Sequence, residues 1–566
     1  MSSSPPVRIV FLGGLGEIGR NCFCLEVDDR ILVVDCGIMF PDVDMPGVDL
    51  VLPDFTYLRE NADRVEGVFL THGHEDHAGG LAFLLRDVPA PIYGSALSLG
   101  LARNRIEEAG LLGATELIPV HDGERRQIGP FDCEFIPVTH SVPHAFATAY
   151  HTPVGTILHS GDFKLDLTPV DGRKTDLALI GEIAKRSGGI KLLLSDSTNA
   201  EVPGFTASES TVGATMRTVF RDHPDQRVIV ASFASHLHRV RQVSEAAVAS
   251  GRRVALLGRS MIQNVALGRE MSILDVPVDR LIDIDEVPRY APGEVAIICT
   301  GSQGEPMSAL SLMAAHEHKH VKISADDVVV ISANKIPGNE SNVARVVDGL
   351  YRSGAKVIHD RNAAVHVSGH AAQEELKFLM NLVLPEWFVP VHGEYRHMVH
   401  HAQLAEAVGI PADHVLVCED GDVLTIEASS DLGITGSVEV TVERRAVPAG
   451  YQYVDGIVGD VGLGVLRDRR NLAEEGLVVV IVTVDATTGD LVTGPEIVTR
   501  GWVYAPEAEE LLEEAKAAVR ASLREAADEG ATDFETMKRH ARRSLGKFIS
   551  ERTRRRPAII PVVIEV

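Results

Sequence analysis

Three histidines and an aspartate fall within six residues at His72, His74, Asp76 and His77, inside the stretch THGHEDHAGG from Thr71 to Gly80. The apolar run Val68-Phe69-Leu70 precedes it, so the stretch reads as a loop that leaves the C-terminal end of a strand and enters a helix. In the extended part His72 and His74 project to one side, as alternate residues do, and can grip one ion. Asp76 and His77 come as the chain turns helical and point elsewhere. That arrangement suits a second ion roughly 3.5–4 Å from the first, the separation typical of two-metal hydrolases. Imidazole and carboxylate donors without cysteine suit two Zn²⁺ ions, with Mn²⁺ or Mg²⁺ as substitutes. A structural zinc knot would instead close four ligands, often thiolates, around one ion, and four donors on so short a loop reach a single centre poorly.

Further donors stand where β-rich runs end. FDCEFIPVTHSVPHA (131–145) delivers His140 just past a strand, with His144 close behind. GTILHSGDF (155–163) ends in Gly161-Asp162, where a carboxylate can bridge two ions with one oxygen for each. KLLLSDSTNA (191–200) ends at Ser195-Asp196; Asp196 is either part of the site or a helix N-cap or turn residue. Asp35, at the end of ILVVD, is placed to orient a ligand from behind. Gly14, Gly16 and Gly19 match GxGxxG, but the dinucleotide fold needs a helix before Asp35, and Asn21 to Asp35 reads as two β-rich runs joined at Asp28-Asp29-Arg30. The glycines therefore read as a tight loop near the metal site.

At 566 residues the chain needs several domains, and its 45% hydrophobic and 24% charged content is that of a globular protein. No apolar run is long enough for a membrane span, and the opening MSSSPPVRIVFLGG has no secretory pattern, so a cytoplasmic location is expected. Six cysteines, mostly inside apolar runs, read as buried reduced thiols. A net charge of −26 argues against coating nucleic acid through bulk charge, while leaving room for a local basic channel. Lys538 to Arg556 carries nine Lys or Arg against the single acid Glu551, which is either a solvated helix face or a nucleic-acid or subunit contact.

Strands and helices alternate after the metal loop. From about 208 near-continuous Val/Ile strands, RVIVASF, RVALLGRS, EVAIICTGSQGEP and DVVVISANKIPGNE, alternate with amphipathic helices, the pattern of a small parallel sheet covered on both faces. Metal-type residues then return in AVHVSGHA (364–371) and FVPVHGEYRH (388–397), so that sheet is an insertion. The expected division is 1–207 and 361–444 for the first domain, 208–360 for the insertion, 445–460 for a linker and 461–566 for a small α+β domain. In the last, 476–504 reads as a hairpin, 507–530 as a helix with an apolar stripe at Leu512, Ala515, Val519 and Leu523, and AIIPVVIEV as a closing strand.

The motifs GGLGEIGRN, HGHEDH, THSVP, SGDFK, SDSTNA, SFASHLHRV, CTGSQGEP, IPGNE, HVSGHA and PVHGEYRH occur in that order, and with them the sequence resembles the bacterial ribonuclease J family. The resemblance spans essentially the whole chain. It implies an α/β architecture: a metallo-β-lactamase αββα sandwich with an inserted β-CASP parallel-sheet domain and a small α+β C-terminal domain. It implies that His72, His74, His140 and Asp162 hold one ion and Asp76, His77, Asp162 and His392 the other. His370, carrying a proton, would stabilise phosphate charge or protonate the leaving oxygen, with Asp196 setting its tautomer, and Asp76 would serve catalysis as well as the metal. Ser232 or Ser235, with His366, Val367, Ser368 and Gly369, would cradle a 5′-monophosphate, although their types also suit ordinary turns. His236 departs from the asparagine frequent in relatives. The implied activity is 5′-to-3′ exonucleolytic and endonucleolytic hydrolysis of RNA in messenger decay and ribosomal RNA maturation, by a homodimer or homotetramer joined through the C-terminal domain. His392 at the last ligand favours RNA over DNA. A non-catalytic scaffolding paralogue is the alternative. Arg20, Lys164, Arg239, Arg259 and Lys335 are the expected cations of a cleft between the two larger domains.

Overall fold

The computed structural model describes residues 5–42, 44–305, 307–335, 339–429, 437–456, 459–503, 508–530 and 533–566. Pro306 of CTGSQGEP, Ile336, Pro337 and Gly338 of IPGNE, and Tyr504 and Glu507 of the C-terminal segments lie outside these residues. The chain divides into two compact units, one of Met1–Phe40 with Val51–Tyr451 and one of Pro41–Leu50 with Gln452–Val566.

Two sheets face each other in the first unit. One has eight strands in the order 438–443, 423–428, 7–13, 22–27, 30–34, 65–69, 92–94 and 117–119. The other has six, in the order 387–391, 190–196, 155–159, 145–152, 131–138 and 125–128. Their inner faces meet in one core that contains Phe11, Phe69, Phe135, Leu194 and Leu424, as alternating apolar strands require. Asn21 to Asp35 is a hairpin, Cys22–Val27 against Arg30–Val34, with no helix between.

The chain leaves the second sheet after Ile190–Asp196 and returns beside it in Trp387–Val391, with Leu192 opposite Trp387 in parallel register. Between those strands lies a six-stranded, all-parallel sheet in the order 281–282, 253–257, 295–299, 227–231, 327–331 and 356–358. Both of its faces are buried, by separate apolar clusters around Val230 and around Ile229. The uninterrupted Val/Ile runs of these strands follow from that double burial.

In the second unit, strand Leu477–Val484 pairs antiparallel with Leu491–Arg500 and parallel with Ala558–Glu565. Helices Glu509–Asp528 and Phe534–Thr553 cover this sheet, burying Ala515, Val519 and Leu523 from the first and Met537, Ala541, Leu545 and Ile549 from the second. Pro41–Leu50 joins this unit by local bonds: the Asp49 N–H donates to the Val454 carbonyl at 2.8 Å, and Arg469 donates to the Gly47 carbonyl at 2.7 Å. Among the described residues no helix is long and apolar enough to cross a membrane.

Candidate metal centre

The ends of neighbouring strands bring the candidate donors together. Strand Val65–Phe69 leads into the loop with His72 and His74, and His74 caps the one-turn helix Glu75–Ala78 that carries Asp76 and His77. Phe131–Val138 leads to His140, Gly155–His159 to Asp162, Ile190–Asp196 ends on Asp196 and Trp387–Val391 on His392. His392 has φ 54° and Asp35 φ 60°, left-handed conformations that non-glycine residues hold only where surrounding contacts impose them.

Two sets of donor atoms result. His72 Nε2 lies 3.0 Å from His74 Nδ1, which lies 3.2 Å from His140 Nε2, and Asp162 Oδ2 is 3.7 Å from His72 Nε2 and 3.8 Å from His140 Nε2. Bonds of about 2.0–2.1 Å in a tetrahedral site give ligand-to-ligand edges of about 3.3–3.4 Å, so these four atoms fit around one small divalent cation. In the second set Asp76 Oδ2 is 3.6 Å from His77 Nε2 and 3.4 Å from His392 Nε2, and Asp162 Oδ2 is 3.3 Å and 3.5 Å from the same nitrogens. Asp162 stands between the two sets, with Oδ2 within 3.8 Å of nitrogens of both. His144 takes no part in either set.

The His77, His140 and His392 rings are held by the nitrogen that faces away from the centre. Asp35 Oδ2 accepts from His77 Nδ1 at 2.8 Å, and the same carboxylate accepts from the Thr71 N–H and hydroxyl at 2.8 Å each. His140 Nδ1 donates to the Gly369 carbonyl at 2.9 Å, and Thr198 Oγ1 lies 2.6 Å from His392 Nδ1. These bonds fix tautomers so that the Nε2 lone pairs face inward. Thr198 and Asn199 sit inside SDSTNA, where only their polar side chains next to Asp196 mark them in the sequence. Asn199 Nδ2 donates to Ser368 Oγ at 2.9 Å and to the His370 carbonyl at 3.0 Å, tying the HVSGHA loop to the strand end.

The two halves differ electrostatically. Burial holds His72 and His140 well below the usual imidazole range and His74 at about 4, so all three offer neutral nitrogens to a cation. Burial alone would also lower His77, but Asp162, Asp76 and Asp35 overcome it and raise its pKa to about 10. His392 is raised well above its ordinary value against burial, chiefly by Asp162. Burial would raise Asp162, yet His392, His77 and His72 pull it well below the carboxylate range. The carboxylate field that favours protons on His77 and His392 favours a cation between them equally.

Next to this cluster His370 Nδ1 donates to Asp196 Oδ2 at 2.8 Å, and the His370 ring stacks on His392 at 5.3 Å. Burial opposes a charge on His370, but Asp196 prevails and its pKa is raised. Asp196 and His370 are thus hydrogen-bonded to each other, and proximity also groups them with Asp162 and His392 as donors.

The remaining candidates scatter around this centre. Ser368 accepts from the His370 N–H at 3.2 Å, and Gly369 lies on the His140 ring. Val367 packs on the core of the inserted sheet. His366 Nδ1 is 3.4 Å from the Arg239 guanidinium, and burial followed by Arg239 lowers its pKa strongly. Ser232 is buried, with its hydroxyl turned to the Phe233 carbonyl, while Ser235 is half-buried just before helix Leu237–Ala249. His236 is buried 3.5 Å from Glu209, and burial lowers it to about 4. The glycine loop meets the centre through Leu15-Gly16, which pairs in parallel with Gly393-Glu394 directly after His392.

Three of the expected cleft cations are structural instead. Arg20 is buried between Glu17 and Asp420, Lys164 donates to the Ala207 carbonyl at 3.0 Å, and Arg239 is clamped by Glu209 with further bonds to Ser332 and the Val365 carbonyl. Their acidic and carbonyl partners come from distant segments, so local sequence gave no warning. Arg259 is exposed and pairs with Glu108 at 2.7 Å, and Lys335 is exposed.

A His/Asp cluster at the strand ends of this sandwich, with a parallel-sheet domain spliced between adjacent strands, is the architecture of a metallo-β-lactamase-type hydrolase of the β-CASP group. Residues 15–188 match the model of the Metallo-beta-lactamase superfamily, 225–350 that of Ribonuclease J, beta-CASP domain, 355–415 that of the Zn-dependent metallo-hydrolase RNA specificity domain and 464–566 that of the Ribonuclease J C-terminal domain. The chain is 43% identical over 566 residues to Ribonuclease J of Mycobacterium tuberculosis, covering 100% of this chain and 98% of that one. It is 40% identical over 562 residues to Ribonuclease J2 of Bacillus subtilis, covering 99% of each. A crystal structure of a protein of unknown function from Enterococcus faecalis shares the fold, at TM-score 0.53 and 16% identity over 74% of this chain and 100% of that one. The chain belongs to the ribonuclease J family.

Proposed function

We propose that the chain is a dinuclear zinc ribonuclease that degrades RNA from 5′-monophosphate ends in the 5′-to-3′ direction and also cuts internally, in messenger decay and ribosomal RNA maturation. The observation that carries this reading is the pair of donor sets sharing Asp162 Oδ2 beside the His370–Asp196 pair. His72, His74, His140 and Asp162 would hold one Zn²⁺, and Asp76, His77, His392 and Asp162 the other, with Mn²⁺ or Mg²⁺ as substitutes. When bound, two such cations supply Lewis acidity at a phosphodiester and neutralise charge that builds on it.

The protein's own residues do the rest. With Nδ1 committed to Asp196, a protonated His370 carries its second proton on Nε2, available to a phosphate oxygen or the leaving 3′ oxygen. Ser232 or Ser235, with His366, Val367, Ser368, Gly369 and His370, forms the 5′-monophosphate pocket, hydroxyl and N–H groups being suited to an oxyanion. Six buried, unpaired cysteines support a cytoplasmic setting.

The test is digestion of one uniformly labelled RNA bearing a 5′-monophosphate, 5′-triphosphate or 5′-hydroxyl, by wild type, Asp162→Ala and His370→Ala. Mononucleotide release fastest from the monophosphate, and lost in Asp162→Ala, is expected. Discrete fragments whatever the 5′ end would make the chain mainly an endonuclease, and no metal-dependent cleavage would favour the scaffolding alternative. We also assign a homodimer or homotetramer contact to the C-terminal sheet, where Val498, Val562 and Ile564 are exposed on a β surface. Val562→Lys with Ile564→Lys should lower the mass seen by light scattering; an unchanged mass would place the contact elsewhere.

A further inference from the structure

Within the second unit, a groove of about 740 Å³ runs between helix Leu463–Glu475, helix Phe534–Thr553 and the strand that closes the chain. Its rim carries Arg539, Arg542, Arg543, Lys547 and Arg556, all exposed, against the one carboxylate of Asp468. Its floor is apolar, with Leu472, Leu477 and Ile559. The helix creates this rim by periodicity. Met537, Ala541, Leu545 and Ile549 are buried on one stripe, and residues 539, 542, 543 and 547 fall on an adjoining face at helical spacing. Gly546 faces the strand, and a Cβ there would make only ordinary contact with Ile559 Cδ1 at 3.4 Å.

The pairing of charges separates this rim from an ordinary solvated surface. Elsewhere on the same segment Lys538 pairs with Glu535, Arg552 with Glu514 and Arg555 with Glu475. Among the described residues, none of the five rim side chains forms an ion pair, although the Glu475 carboxylate accepts the Arg556 backbone N–H at 3.0 Å. Five exposed cations without an ion-pair partner around one groove stand out in a chain of net charge −26, and they make a local positive field that suits a polyanion.

We propose that this groove binds the phosphate backbone of single-stranded RNA, at a second site formed wholly by the C-terminal unit. The proposal rests on the ribonuclease reading for its choice of polyanion. Guanidinium groups suit phosphate oxygens in paired geometry, and the apolar floor accepts ribose and base faces. No aromatic side chain lines the groove, so bases gain no stacking there and the contact is indifferent to sequence.

The experiment measures binding of a fluorescent single-stranded RNA to the full chain in EDTA, across a salt series, beside the triple variant Arg539→Gln, Arg542→Gln, Arg543→Gln. Each phosphate neutralised on a single strand contributes about 0.7 to the slope of log affinity against log salt. Loss of three contacts should therefore flatten the slope by about 2 and weaken binding about tenfold or more at moderate salt, equally for RNAs of different base composition. Hydrolysis of a trinucleotide by the metal-loaded variant should match wild type. Circular dichroism of the exposed-site variant checks that its helices persist. RNA binding by wild type with a slope that the variant shares would overturn the groove and leave the ribonuclease reading standing. A wild type that neither binds nor cleaves RNA would remove the ribonuclease reading itself. Poly-glutamate that binds wild type more tightly than RNA, and fails to bind the variant, would overturn RNA in favour of an acidic protein partner.

Discussion

A Cβ at Gly369 would stand 2.7 Å from Cε1 and 2.8 Å from Nδ1 of His140, and 2.9 Å from Cβ of Ser141. Such contacts are closer than real atoms allow, so Gly369→Ala must displace either the imidazole or the loop that ends in His370. The His140 ring depends on the Gly369 carbonyl for its tautomer, and both effects therefore fall on the same ligand. Thr198 has the corresponding role for His392. Removing an outer partner of a ligand histidine typically weakens metal affinity about 10–100-fold. Gly369→Ala and Thr198→Val should both lose bound metal to a competing chelator at concentrations that leave wild type loaded, with far-ultraviolet circular dichroism unchanged. Wild-type metal retention in both would sink the orienting role. The donors themselves were legible because HxHxDH puts chemistry into one local spacing, and because His140, Asp162 and His392 each follow a recognisable strand. Thr198, Asn199 and the Gly369 carbonyl were not legible as partners, since a hydroxyl, an amide and a backbone oxygen look like any turn until the fold brings segments about 170 to 230 residues apart together.

At the scale of elements, the strands and helices that seat the site also bury histidines that never reach it. His401, on the helix Tyr395–Ala407, packs edge-on against Phe388, with its Nδ1 3.0 Å from Ser197 Oγ and no partner for Nε2. Burial lowers its pKa to about 3, and burial lowers His159 and His236 to about 4. In each the folded value lies below the ordinary 6.5, so the unfolded chain takes up the proton first. Their contribution to stability is whole above pH 6.5 and is lost as pH falls from 6.5 toward about 4 for His159 and His236 and about 3 for His401. Each can add a slope of up to about 1.4 kcal/mol per pH unit. Urea midpoints in EDTA should fall steeply below pH 6.5, and less steeply in His401→Gln, which keeps a polar group without titrating. Equal slopes in both proteins would show that His401 does not drive the acid loss. The alternation of apolar residues that places these elements was visible in sequence; their ion pairs were not. Arg20, Lys164 and Arg239 look like cleft cations until Asp420, the Ala207 carbonyl and Glu209 enclose them.

For the whole molecule, every donor of the metal centre belongs to the unit formed by Met1–Phe40 and Val51–Tyr451, while the other unit has a core of its own around Val480, Val519 and Leu545. Pro41–Leu50 belongs to that second unit, so a cut near residue 445 would strip the segment of its partners, an association no local sequence pattern announces. Cations bind only a folded site, and binding at a hundredfold excess over Kd stabilises by about 2.7 kcal/mol. That stabilisation is confined to the unit holding the ligands. Calorimetry of the full chain should therefore resolve two transitions, of which EDTA lowers one and leaves the other in place. Asp162→Ala should remove the EDTA sensitivity, because it deletes the oxygen that faces both donor sets. A single transition that moves as a whole with EDTA would mean the units unfold together, and would count against assigning the C-terminal unit a stability independent of the metals.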